Sequence, residues 1–340
     1  MNAAVSTRAG KLLSIRDLAV QYRTGRGLVG AVRGVSFDVE PGKVTAVVGE
    51  SGSGKTTVAQ SVIGLLASNG SIARGEIELN ERRLGTTSLV GLPERRWQDL
   101  RGRCIGLIPQ DPGNSLNPVK TIGRSISESL RIHGRPSREE VRERVLALLE
   151  QVGIDDPERR AKQYPHEFSG GMRQRVVIAL ALAASPKLVI ADEPTTALDV
   201  SIQAQIISLL RKLCKEKQTA VMLVTHDMGV IAEAADRIAV MYAGRLIEIG
   251  PVEQVLHQPR HPYTQGLMAS IPSLGARVEK LNQIDGSMPR LDAIPKGCAF
   301  NPRCKVAVPR CLQERPELNF ISQNPNLGAS ACWLNAGGSV

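Results

Sequence analysis

The stretch Gly49-Glu50-Ser51-Gly52-Ser53-Gly54-Lys55-Thr56-Thr57 has the residue types and spacing to hold a chain of phosphates. Glycines let a backbone curl until successive N–H groups point inward, a shape largely closed to residues with a Cβ. A lysine at the end of such a curl reaches the outer phosphates, and a hydroxyl beside it can ligate Mg²⁺. Here these are Lys55 and Thr56. The apolar run Val44 to Val48 leads in and reads as a buried strand, and Val58 to Ile63 reads as the start of a helix. Strand, glycine-rich turn, Lys-Thr and helix make the P-loop arrangement. Its helix start adds about half an elementary positive charge. A plain glycine-rich surface turn is the competing reading, and the strand–helix context speaks against it. The motif implies a bound nucleotide without saying what is done with it.

Two further constellations concern the same chemistry. Leu188-Val189-Ile190-Ala191 is an apolar strand that ends in Asp192-Glu193. Asp192 is placed to hold Mg²⁺ through water, and Glu193 to polarise an attacking water as general base. An acidic strand end is common by itself; a P-loop upstream makes the catalytic reading the better one. Phe168-Ser169-Gly170-Gly171-Met172-Arg173-Gln174-Arg175 puts a hydroxyl and two glycines at a helix start, which is a second anion site. The alternative there is a glycine cap with no ligand. The two phosphate cradles lie 115 residues apart, counted from Gly54 to Ser169.

Several elements must position these groups. Leu12 to Tyr22 and Ala31 to Val39 alternate like strands. Between them Gly25 to Gly30 forms a formal G-x-G-x-x-G, but a dinucleotide site needs a helix next, so the stretch reads as a hairpin loop. Gly75 to Asn80 and Ile105 to Ile108 are further strands, and residues 81–103 are polar loop. Ile122 to Ile132 reads as helix, and Ser137-Arg138-Glu139-Glu140 opens another with a capping box. Met172 to Ala184 and Ile202 to Leu213 complete the helices; Ala220 to Thr225, Ile238 to Met241 and Leu246 to Ile249 complete the strands. From Pro251 onward prolines recur and exclude long regular elements, which places a domain boundary near Gly250.

Together these motifs resemble the ATP-binding cassette (ABC) family over about residues 12–250. The resemblance implies an α/β P-loop NTPase fold of ABC type with an N-terminal antiparallel β subdomain, a helical insert at about 95–185, and an irregular Cys-rich extension over 251–340. It implies that Gln110 is the Q-loop glutamine, touching Mg²⁺ or water, and that Ala197-Leu198-Asp199 is the D-loop. His226 resembles the switch histidine at the γ-phosphate, and Tyr22 the aromatic that stacks on adenine, with Phe37 or simple core packing as alternatives. The family's commonest signature reads Leu-Ser-Gly-Gly-Gln; this chain has Phe168 and Met172 at the outer positions and keeps Ser169, Gly170 and Gly171. In the family, ATP lies between two cassettes, so Ser169, Gly170, Gly171 and Gln174 would face the nucleotide of a partner. Pro109 to Pro118 and His261-Pro262-Tyr263-Thr264 narrow the resemblance to the oligopeptide/dipeptide importer ATPases. That subfamily implies ATP hydrolysis with Mg²⁺, a second cassette that is identical or paralogous, two membrane permease subunits, and a solute-binding protein acting through them.

Composition sets the remaining bounds. No uninterrupted apolar stretch approaches the ~20 residues that span a bilayer, and Met1 to Gly10 lacks the apolar core of a signal peptide. The expected location is the cytoplasmic face of the inner membrane, as a peripheral subunit. Net charge is +10, which suits an anionic membrane face or nucleic acid. Aromatics are 3%, too few for a base-stacking surface, so membrane proximity is the better reading and no nucleic acid is expected. A soluble ABC ATPase acting on nucleic acid or ribosomes is the alternative in another class; a redox- or metal-sensing ATPase is a third. Of six cysteines, Cys104 and Cys214 are isolated and read as buried, whereas Cys298, Cys304, Cys311 and Cys332 follow C-x₅-C-x₆-C-x₂₀-C. Such a cluster in a chain without export signals points to a metal or cluster before disulfides. In some members of the subfamily a similar pattern holds a [4Fe–4S] cluster; zinc and no metal stay open.

Overall fold

In the computed structural model of the chain, residues 10–81, 85–134, 136–195, 198–270, 284–320 and 328–335 are described. The N-terminal half runs β1 (Leu13–Thr24), β2 (Gly27–Val39), β3 (Val44–Val48), α1 (Lys55–Ile63), β4 (Gly70–Glu81), β5 (Gly85–Ser88), α2 (Glu94–Leu100), β6 (Ile105–Ile108), α3 (Ile122–Ile132) and α4 (Arg138–Gln151). Next come α5 (Pro157–Arg160), α6 (Gly170–Leu182), β7 (Leu188–Asp192), α7 (Val200–Lys217), β8 (Ala220–Val224), α8 (Met228–Ala234), β9 (Arg237–Tyr242) and β10 (Arg245–Pro251). The remainder is short elements: α9 (Val252–His257), α10 (Pro262–Ala269), α11 (Pro309–Gln313), β11 (Asn319–Phe320) and β12 (Ala329–Ser330).

The chain divides into two compact units that alternate along the sequence. The first comprises the described residues of Met1–Leu12, Val39–Val44 and Leu79–Leu223; the second comprises those of Leu13–Asp38, Thr45–Glu78 and Val224–Val340.

In the first unit, strands β8, β7 and β6 lie side by side in that order, β6 and β7 being parallel with Ile108 opposite Ala191. Helices α3, α4 and α6 pack together through apolar faces. Ile122, Ile126 and Leu130 line one side of α3, and Val141, Val145, Leu148 and Leu149 one side of α4. The capping box forms as its residues require: Glu140 N–H donates to Ser137 Oγ at 3.2 Å, and Ser137 N–H to the Glu140 carboxylate at 2.6 Å. Each such cap stabilises its helix by about 1 kcal/mol.

In the second unit, β2, β1 and β4 form one layer, and β11, β12, β10, β9 and β3 another in that order. β3 and β9 are parallel, β9 and β10 antiparallel. All five residues of β3 are buried, as a strand covered on both faces must be. Its core joins Ala46 and Val48 of β3 to Ile231 of α8, Val240 and Tyr242 of β9, Val255 of α9, Tyr263 of α10 and Phe300. The C-terminal region therefore shares a hydrophobic core with the strand that leads into the glycine-rich loop.

Some expected boundaries move. The hairpin turn is only Gly25-Arg26, because β2 already begins at Gly27. Helix α1 begins at Lys55, three residues before Val58, so Lys55, Thr56 and Thr57 already have helical backbone. Residues 81–103 hold β5 and α2, whose only buried residues, Trp97 and Leu100, leave too short an apolar pattern to read. The position expected as a domain boundary, Gly250, falls inside β10, and β12 pairs with that strand through Ser330 opposite Glu248. Among the described residues no helix is long and apolar enough to cross a membrane.

Candidate functional site

The cradle is built by close backbone approach. At Gly49, with φ of 149°, a Cβ would lie 2.2 Å from the carbonyl oxygen of Met241 in β9. At Gly54, with φ of 101°, it would lie 2.6 Å from that of Ala31. Neither position accepts another residue without moving a strand. Lys55 is only 5% exposed, and its Nζ donates to the carbonyls of Gly49 and Glu50 at 2.9 and 3.0 Å, which draws the loop into a ring. Ser53 is buried in this ring, and its Oγ has no hydrogen-bond partner among the described residues. A buried hydroxyl without a partner, in a glycine-rich loop at a helix start, fits an oxyanion. Ser51, Gly52 and Thr56 are exposed at the mouth, and Thr57 is half-buried behind them.

Tyr22, on β1, is held against this helix: its hydroxyl lies 3.4 Å from Thr57 Oγ1, and its ring packs over Gly70. Phe37, the other aromatic weighed for stacking on adenine, is buried in the core. Glu50 has two partners that sequence reasoning did not foresee. Its N–H donates to the Tyr263 hydroxyl at 2.9 Å, and its carboxylate accepts from Arg303 Nη1 at 2.9 and 3.1 Å. No local signal marks a contact across 253 residues of sequence. In the same unit, His226 is exposed, just before the cap of α8. Asp227 Oδ1 accepts the N–H groups of Gly229 and Val230 there, which fixes the direction in which the chain leaves Thr225.

In the first unit, strand register does the positioning. Ile108 and Ala191 are opposite one another on parallel strands, so Gln110 and Glu193 both lie two residues beyond that pair. Gln110 Nε2 donates to Glu193 Oε2 at 2.8 Å. Glu193 has a left-handed backbone, φ 49°, a conformation that costs a non-glycine residue about 1–2 kcal/mol and is found at functional sites. Asp192, immediately before it, is buried at the end of β7.

Ser169 caps α6, accepting the Met172 N–H at 3.3 Å, and both Ser169 and Gly170 are exposed. A Cβ on Gly170 would meet nothing within 4 Å, while one on Gly171 would lie 2.9 Å from Ile202. Gly170 thus has no internal reason to be glycine, and Gly171 does. Gln174 differs from expectation: it is 1% exposed, and its Nε2 is unpartnered among the described residues, so its amide lies in the interior beneath the cap. Asp199 caps α7 through the Ile202 N–H at 2.9 Å; Ala197 lies outside the described residues.

Cys298, Cys304, Cys311 and Cys332 line one small cavity with His261, Phe300 and Trp333. Burial pushes the Cys298 thiol up to about 11, and the neighbouring cysteines push it the same way. Burial also raises Cys304 and Cys332. Buried thiols grouped in this way resist ionisation. Even so, among the described residues no group of three or more His, Cys, Asp or Glu is positioned to hold a metal ion. Cys104 and Cys214 are buried, as read from the sequence.

Residues 32–196 match the family model described as ABC transporter, and residues 247–311 that described as oligopeptide/dipeptide transporter, C-terminal region. The chain is 48% identical over 317 residues to the oligopeptide transport ATP-binding protein OppD of Bacillus subtilis, spanning 93% of this chain and 87% of that protein. It is 45% identical over 325 residues to the dipeptide transport ATP-binding protein DppD of the same organism, 95% of each chain. Among solved structures, the dimeric ATP-binding cassette MJ0796 bound to ADP and Pi, in a post-hydrolysis state, is similar with a TM-score of 0.62. That match is 28% identical and covers 71% of this chain and 98% of that one.

Proposed function

The chain belongs to the ABC transporter family and carries the oligopeptide/dipeptide transporter C-terminal region, and from that premise we propose that it is the ATPase subunit powering peptide import through a membrane permease. It works as a pair with a second ABC ATPase subunit, on two permease subunits that receive cargo from a solute-binding protein. Its place is peripheral, at the cytoplasmic face of the inner membrane. By function, residues 1–250 form the nucleotide-binding part and 251–340 the extension, the two meeting through the pairing of β12 with β10 and the core that Tyr263 and Phe300 share with β3.

The observation that carries this reading is a phosphate cradle drawn together by Lys55, along with a second capped helix start, Ser169 to Gly171, at which Gly170 is open. One chain has one of each, so two chains make complete sites. Gly49 to Thr57 hold the phosphates by the loop's remaining N–H groups, the ammonium and the helix start, the Glu50 N–H being taken by Tyr263. Tyr22 stacks on the base. Thr56, Gln110 and Asp192 would hold Mg²⁺, which neutralises charge on the phosphate oxygens when bound. Glu193 takes the proton of the attacking water, Gln110 orients that carboxylate, and His226 steadies the departing phosphate. Ser169, Gly170 and Gly171 close on the partner's nucleotide, with Asp199 at the seam. Binding favours the closed pair and hydrolysis releases it, which works the permease.

For the four late cysteines, Cys298, Cys304, Cys311 and Cys332, a [4Fe–4S] centre that holds the extension together is the reading the subfamily resemblance suggests, with zinc and no metal as its alternatives. Their common cavity supports a shared role, while among the described residues no group of three or more is placed to hold a metal ion. Iron, sulfide and zinc assays on anaerobically purified protein test it; metal-free, colourless protein would remove it. The import function is tested by reconstituting the assembled complex in vesicles with labelled peptides. ATP-dependent accumulation is expected; copurification with nucleic acid and no permease would overturn it.

A further inference from the structure

We infer that Tyr263 and Arg303, both in the C-terminal region, are positioning residues for the ATP-binding loop, fixing Glu50 and through it the curl of the cradle before nucleotide arrives. The inference rests on the ATPase reading and adds to it a role for a segment to which no chemistry is assigned.

Three polar functions of Glu50 are engaged. The N–H goes to the Tyr263 hydroxyl, the carboxylate to Arg303, and the carbonyl to the phosphate lysine, Lys55. Two of the three anchors come from more than 200 residues downstream. Both anchors are themselves rigid. The Arg303 side chain is 7% exposed; its Nε donates to Asp285 O at 2.9 Å, its Nη2 to Ile284 O at 3.2 Å, and its Nη1 also reaches the Tyr242 hydroxyl at 3.2 Å. It rides on the short 3₁₀ turn Asn301–Arg303, bracketed by Cys298 and Cys304. The Tyr263 ring is fully buried, 4.7 Å from that of Tyr242 and 5.5 Å from that of Phe300.

The backbone of Tyr263 is fixed in turn. His261 Nδ1 accepts the Tyr263 N–H at 3.0 Å and so starts α10. The buried carboxylate of Glu248 accepts the N–H groups of Arg260 and His261, each at 2.8 Å. The segment beside Arg303 also touches the loop: a Cβ at Gly52 would lie 3.3 Å from Met288 Cε. The His261-Pro262-Tyr263 motif is thus the root of a strut whose tip is the Tyr263 hydroxyl.

Two physical effects follow. A loop with three glycines in six residues loses much freedom when it closes on phosphate, and fixing Glu50 beforehand reduces that loss. The Glu50 carboxylate would also repel a triphosphate, and the guanidinium offsets it.

The test measures Mg-ATP affinity by calorimetry on the full chain, and KM and kcat on the assembled complex. Arg303→Met keeps the apolar stem and is expected to weaken Mg-ATP about 10-fold, with kcat at saturation within about 2-fold of the wild type. Adding Glu50→Gln in that background should recover most of the loss, a rescue that simple loss of packing would not give. Tyr263→Phe removes one oxygen from a fully buried ring that otherwise stays, and should weaken Mg-ATP about 3-fold; it decides the matter if Arg303→Met does not fold. Wild-type affinity in Tyr263→Phe and Arg303→Met, or a loss confined to kcat, overturns the inference. A wild-type chain that binds no Mg-ATP overturns the ATPase reading instead, so the two failures are distinct.

Discussion

Gln110 and Glu193, 83 residues apart, are joined side chain to side chain at 2.8 Å. The link follows from the parallel pairing of β6 with β7, which brings two strand ends level and carries the amide to the carboxylate. The hydrogen bond orients the Glu193 carboxylate, and its left-handed backbone, φ 49°, is a strain of the kind kept at functional sites, which together motivate the proposed role of general base.

Glu193→Gln removes the base and keeps the link, because the new amide oxygen still accepts from Gln110. Steady-state ATP turnover of the assembled complex is expected to fall by about 10²–10⁴-fold, while Mg-ATP affinity stays near that of the wild type. Turnover within a few-fold of wild type would take the proton-accepting role away from Glu193.

Lys55→Ala removes a buried ammonium that bridges two loop carbonyls. The ring opens and the outer phosphates lose their cation, so tight Mg-ATP binding should disappear in calorimetry. Undiminished affinity would show that the cradle does not use its lysine.

Gly170→Asp separates folding from pairing. A side chain there meets no atom within 4 Å in its own chain, so thermal stability and Mg-ATP binding by the isolated protein should be unchanged. Hydrolysis by the assembled pair should be lost, since a carboxylate would face the partner's phosphates. Normal hydrolysis would mean that the α6 start does not meet a nucleotide.

The motifs legible in the sequence are those in which adjacent residues do one task together. Gly49 to Thr57 and Ser169 to Gly171 could be read because backbone N–H donors need glycine, and a helix start needs a cap, at fixed local spacing. Gln110 and Glu193 were legible as strand-end residues; their hydrogen bond was not, because it depends on which strands are neighbours. Gln174 was placed with the signature by resemblance alone, and its burial was not legible, since α6 is buried on most sides and gives no amphipathic stripe to phase it. Arg303 gave no signal at all: an arginine in a proline-rich stretch looks solvated until a carboxylate 253 residues away is placed beside it. The boundary near Gly250 rested on proline content, which limits helix length and says nothing about β10 or the core shared with Tyr263 and Phe300.

Burial holds His261 at about 3, far below its ordinary 6.5. Between those values the unfolded chain carries the proton that the folded chain refuses, so acid favours unfolding. This contribution is intact above pH 6.5 and is lost progressively toward pH 3, about 1.4 kcal/mol of it by pH 5.5. His261→Asn keeps an acceptor for the Tyr263 N–H and removes the titration. Glu248, raised by burial, slopes the other way and is common to both proteins. Between pH 7.5 and 5.5 the wild-type Tm should fall about 2 °C more than that of the variant; equal falls would show that His261 titrates normally.

The central claim is that nucleotide is clasped between two cassettes, the cradle of one against the Ser169 cap of the other. Light scattering coupled to size exclusion, on Glu193→Gln together with its companion cassette, tests it most directly. Addition of Mg-ATP should double the mass, and removal of nucleotide should halve it again. A mass that stays that of single chains at saturating Mg-ATP would contradict the claim.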